Sequence, residues 1–169
     1  LAKKFENAVH KALMLTYYAK DKLAVRRSGM SVFPNDLTKI ISVERLSGCC
    51  CCFKRKIFAE FRFDTNLKRW SFMEDLDFSY RVYKKNPGSL YAIPYAMIIH
   101  KGSSESRLPT KLCIHMMTIY WFYVFFNEIL ESSIFNLTAF LWSLMGNLTL
   151  SIGILVTKRK PKHQGWVLI

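Results

Sequence analysis

Ile134 to Val156 is a run of 23 residues without a single charged side chain, and it restricts the fold of this chain more than any other stretch. As a helix it reaches about 34 Å, against about 30 Å for the hydrocarbon core of a bilayer, so it is long enough to span one. Lys158-Arg-Lys-Pro-Lys162 follows at once, which by the positive-inside rule puts the C-terminal end in the cytoplasm. The preceding run, Leu112 to Asn127, is shorter, carries His115 and is crowded with Tyr120, Trp121, Phe122, Tyr123, Phe125 and Phe126. It reads as a first span, a re-entrant piece or an interfacial helix. If both runs cross, they form a hairpin with Glu128 and Glu131 at the far turn; the other reading is a buried helical pair in a soluble core. Asn136-Leu-Thr138 and Asn147-Leu-Thr149 match the glycosylation sequon but lie inside the apolar run, out of a transferase's reach.

The rest of the 169 residues is enough for one ordinary domain with a core. A net charge of +13 suits an anionic membrane surface, an anionic small substrate or nucleic acid. The basic residues are scattered rather than gathered into one stripe, which argues for the first two and against nucleic acid. Of the five cysteines four are contiguous, Cys49 to Cys52, which is no disulfide framework. With no second pair or histidine at ligand spacing they read as buried small hydrophobes rather than a metal site. Nothing at the N-terminus resembles a signal peptide, so the soluble part belongs in a reducing compartment.

The stretch that carries chemistry is Arg69 to Lys85. Ser71 with Glu74 three residues later, ahead of an apolar-periodic run, has the form of a capping box and predicts a helix start. Leu76, Tyr80 and Tyr83 recur on one face, acids fill the first turn, and Arg81, Lys84 and Lys85 sit towards the end, as the helix dipole prefers. Asp75 is a carboxylate the cap does not need, held where helix amides favour its ionised form. A positioned, ionised carboxylate is what a general base requires. Asp77 and Arg81 fall four apart and can pair.

Elsewhere the pattern predicts an amphipathic helix over residues 1 to about 27, a loop at 28 to 37, and a strand from Lys39 to Phe53 with Gly48 where something approaches the backbone closely. A short helix at Lys54 to Phe61 and a turn at Phe63 to Leu67 follow. Asn86-Pro87-Gly88 ends the capped helix, and Ser89 to Ile93 and Tyr95 to His100 read as two short strands broken at Pro94. His100 closes the second strand beside a Gly/Ser loop, where it either bonds backbone or contacts a ligand or phosphate. Trp70 suits stacking on a sugar face and packing equally well.

In order and spacing, Leu46-Ser-Gly48, Phe63-Asp64, Glu74-Asp-Leu-Asp77 with Arg81, and His100 with the Ser/Arg loop after it resemble the C-terminal half of the family 2 glycosyltransferases. The resemblance covers about residues 40 to 107. It implies a GT-A type α/β fold that uses a nucleotide-sugar donor, and inverting transfer to an acceptor hydroxyl. Asp75 then maps onto the catalytic base, with Gly48, Trp70, Glu74, Asp77 and Arg81 shaping the acceptor side. His100 and Arg107 map to the vicinity of the diphosphate or a divalent cation, Mg²⁺ or Mn²⁺, with His100 as a metal ligand. The family's N-terminal half, with its nucleotide-binding unit and Asp-x-Asp strand end, has no counterpart here, and the sequence begins at Leu1. The expectation is therefore a C-terminal portion that binds nucleotide sugar poorly alone. Residues 1–110 belong to the catalytic domain, 111–157 to hydrophobic helical membrane segments and 158–169 to a basic cytoplasmic tail. The expected acceptor is a sugar or a lipid-linked molecule. The competing expectation is a non-enzymatic basic module that anchors to membrane.

Overall fold

The computed structural model describes residues 2–69, 71–99 and 110–157. It is an α/β arrangement of five helices and two small sheets.

Helix α1 (Ala2–Ala12) is shorter than its amphipathic pattern predicts. The backbone turns left-handed at Met14 and then forms strands β1 (Tyr17–Lys20), β2 (Ala24–Val25) and β3 (Ser31–Asp36), where a helix and a loop were expected. Tertiary pairing decides this. β1 lies parallel to β3 with Tyr17 opposite Val32, and β2 runs antiparallel on the other side of β3. Tyr17 and Val32 are buried, so the strands gain from packing what a longer helix would have left in water. The outer edge of β1 is closed by α1: Tyr18 N–H donates to the Asn7 side chain, which donates back to the Tyr18 carbonyl, both at 2.7 Å. Arg26 donates to the Leu15 and Lys11 carbonyls at 2.6 and 2.8 Å and so closes the C-terminal end of α1.

The second sheet pairs β4 (Ile41–Ser42) antiparallel with β5 (Tyr91–Ala92). The expected strand over 39–53 is regular only at these two residues, and 95–99 form no strand. Helix α2 (Ile57–Glu60) falls inside its predicted span. Helix α3 (Glu74–Lys85) stops where its sequence says, with Asn86 N–H closing on the Val82 carbonyl, but begins two residues later than a cap at Ser71 would place it.

Two cores meet on α3. Leu76 enters one with Met30, Trp121, Val124, Phe125, Ile129 and Phe140. Phe78 and Val82 enter the other with Leu23, Val43, Phe61 and Leu90. Burial of several large side chains, each contributing about 1.5–3 kcal/mol, holds α3 between them.

Helix α4 (Thr110–Val124) continues through a π turn (Phe125–Ile129), and α5 (Ile134–Thr157) follows it. Among the described residues one helical stretch, Leu112–Ile129, is long and apolar enough to cross a membrane. Glu128 lies in the π turn and Glu131 in the turn that leads to α5. Both form ion pairs with Lys84 of α3, at 2.9 and 3.3 Å. Gly29, at φ +80°, lets Trp121 approach its backbone: a Cβ there would lie 3.1 Å from the indole nitrogen, which donates to the Ser28 carbonyl at 2.8 Å.

Candidate active site

The sequence leaves Asp75 without a partner; the structure gives it one. Arg45, whose side chain is only 8% exposed, donates to Asp75 Oδ2 at 2.7 Å, and the Gly48 amide donates to the same oxygen at 3.0 Å. Asp75 Oδ1 accepts the Leu76 amide at 2.8 Å. The pair is closed on the Arg45 side and open on the other, since a quarter of the Asp75 side chain, 25%, meets solvent. A carboxylate offers about four acceptor positions, and three are in use here. One remains on Oδ1.

Arg45 is itself fixed. It donates to Ser31 Oγ at 2.7 Å, and its guanidinium lies 5.2 Å from the Phe33 ring centre. Burial pushes its pKa down while the Asp75 charge pushes it up, and arginine stays cationic across the working range.

Gly48 comes where expected: a Cβ on it would rest 3.4 Å from Asp75 Cβ, so the loop after β4 and the start of α3 touch. Ser79 ties them further, its hydroxyl donating to the Asp75 carbonyl and accepting the Leu46 amide. Glu74 is exposed; the protein around its carboxylate, and then the Asp75 charge beside it, push its pKa up. Asp77 is buried and pairs with Arg81 at 2.7 Å, and Arg81 also donates to the Arg62 carbonyl. Asp77 thus braces the helix rather than facing a cleft.

The capping box is not formed. Met73, left-handed at φ 68°, is the residue before the helix, and Ser71 Oγ donates back to the Leu67 carbonyl at 2.6 Å. Arg69 and Ser71 are left-handed too, at φ 60° and 43°. Three non-glycine residues with positive φ within the six before Asp75 mark a strained segment held by its surroundings. The hold comes from α4: Tyr120 hydroxyl accepts the Lys68 amide and donates to its carbonyl, both at 2.9 Å, and Tyr123 hydroxyl donates to Asp64 at 2.6 Å. That hydrogen bond is the chief cause holding the Asp64 pKa below its ordinary value.

Cys49 to Cys52 are exposed, which corrects the expectation of buried small hydrophobes. The loop they occupy has no strand partner to cover it, and Phe53 rather than a cysteine turns inward, onto Phe78 at 4.9 Å between ring centres. Among the described residues no three His, Cys, Asp or Glu side chains converge as metal ligands. Trp70, His100 and Arg107 lie outside the described residues, as does the basic tail. Compared with known proteins, the chain matches no family model, no curated protein and no solved structure.

Proposed function

We propose that this chain is the acceptor side of a membrane-associated inverting glycosyltransferase of the GT-A type, with Asp75 as general base. The observation that carries the reading is the half-open Asp75 carboxylate: Arg45 and the Gly48 amide fix one oxygen, the other accepts the Leu76 amide alone among the described residues, and a quarter of the side chain meets solvent. In the reaction, Oδ1 takes the proton of an acceptor hydroxyl as that oxygen bonds to the anomeric carbon of a nucleotide sugar. The bond to the nucleoside diphosphate breaks with its electron pair, and configuration inverts. Arg45 keeps the base from rotating, so the proton is accepted in one direction. Gly48 lies close against it: a Cβ there would rest 3.9 Å from Asp75 Oδ2.

A divalent cation, Mg²⁺ or Mn²⁺, belongs to the family resemblance. The described residues hold no ligand set for one, and no step here runs through it. The second reading, a non-enzymatic anchor, draws on the exposed apolar residues of α4 and α5 together with the net charge of +13.

The two readings separate in one experiment. Membranes carrying the full-length protein are given a panel of nucleotide sugars, and acceptor-dependent release of nucleoside diphosphate is measured. The enzyme reading expects release with at least one donor; membrane attachment without release from any donor selects the anchor.

A further inference from the structure

We propose that α4 and α5 lie along the membrane surface as one in-plane apolar face against anionic lipid, rather than crossing the bilayer as a hairpin. This deepens the attachment half of the proposed function and does not depend on Asp75.

The inner side of α4 is occupied by polar protein. Tyr120 is bonded to the Lys68 backbone, Tyr123 to Asp64, and Lys84 bridges Glu128 and Glu131. From residue 120 to 131 a helix rises about 16 Å, half the hydrocarbon thickness. A crossing α4 would carry Asp64, Lys68 and Lys84 into that layer, where each charge is disfavoured by roughly a hundredfold. Helix α5 is also tied to the end of α1: the half-exposed Trp142 donates its indole N–H to the Ala12 carbonyl at 3.0 Å, and a Cβ on Gly146 would fall 2.9 Å from Leu13 Cβ.

The polarity of α5 is inverted for a water-facing helix. Ser143, Asn147 and Ser151 are buried, while Leu141, Met145, Leu148 and Ile152 are about half exposed. Ile119 of α4 and Phe126 of the π turn are exposed as well. Exposed apolar area of this extent needs an apolar partner. Its surroundings are cationic: Arg27 sits 5.8 Å from the Phe135 ring centre, and exposed Lys3, Lys4 and Lys11 belong to α1, whose end touches α5. A second copy would set +13 against +13, whereas anionic headgroups complement it.

The test adds the chain from outside to sealed vesicles of phosphatidylcholine, with and without phosphatidylglycerol, and floats them. Flotation is expected with the anionic lipid and to fall steeply with salt. In a cysteine-free background Ser132→Cys is expected to react fully with a membrane-impermeant maleimide before the vesicles are opened. Protection until detergent is added would overturn the proposal, because a hairpin carries that turn across. In the unaltered chain, emission lost in Trp142→Phe should be quenched more by shallow than by deep brominated lipids, and the reverse order overturns it. Met145→Asp with Leu148→Asp should weaken partitioning by tenfold or more at unchanged thermal unfolding. A lipid-indifferent dimer in place of flotation also overturns it.

Discussion

Replacing Arg45 by Met removes a cation from a nearly buried site while keeping most of its stem volume. In the native protein that guanidinium bonds Asp75 at 2.7 Å and Ser31 Oγ at 2.7 Å beside the Phe33 ring. Removing one partner of a fully buried ion pair costs about 3–5 kcal/mol. Asp75 is a quarter exposed, so the stranded carboxylate rehydrates in part, and we put this contribution at about 2 kcal/mol. The Ser31 hydroxyl loses its donor, adding up to about 1 kcal/mol. The sum, about 2–3 kcal/mol, corresponds to a fall in Tm of roughly 5–10 °C for a chain of this size. Asp75→Asn alone should cost about 1–2 kcal/mol, and the double variant should lose less than the sum by about 1–2 kcal/mol. Urea unfolding of the four proteins, followed by circular dichroism at constant m value, measures the cycle. Additivity within about 0.5 kcal/mol would refute the pairing that orients Asp75.

Gly29→Ala should destabilise by about 1–3 kcal/mol, because φ is +80° there and the new methyl would crowd Trp121; thermal unfolding reads it. Cys49 to Cys52 should react with a water-soluble disulfide reagent in the native state as fast as in denaturant, whereas slow native reaction would mean that the loop is covered. Tyr123→Phe should remove about 0.5–1 kcal/mol at neutral pH. The Asp64 pKa is lowered in the folded state, so this contribution is present above the unfolded carboxylate value near pH 4 and lost as pH falls through the lower folded value. The stability gap between wild type and Tyr123→Phe should therefore close below about pH 4.

Local rules made α3 legible because everything that bounds it lies within a few residues: acids in its first turn, lysines in its last, and Asn86-Pro87-Gly88 after it. The two apolar helices were legible from run length alone. The parallel pairing of β1 with β3 was not, since it joins residues about fifteen apart and overrides a helical pattern that continues past Ala12. Ser71 misled for a related reason: its hydroxyl had a choice between the helix amide and the Leu67 carbonyl, and the strained segment tied to α4 settled it. At the site, Asp75 and Gly48 stood out as motifs, but their fixing cation, Arg45, lies 30 residues from Asp75 and has no pattern of its own. The inward tyrosines of α4 were hidden in an aromatic run whose faces cannot be assigned until the helix has docked.

The central claim is that the open oxygen of Asp75 takes the acceptor's proton. Its most direct measurement is the rate of sugar transfer by full-length Asp75→Asn, at equal protein level and equal membrane attachment to wild type. The amide cannot accept that proton, so the rate should fall by about 10²–10⁴-fold while attachment stays the same. Transfer within a few fold of wild type would contradict the account.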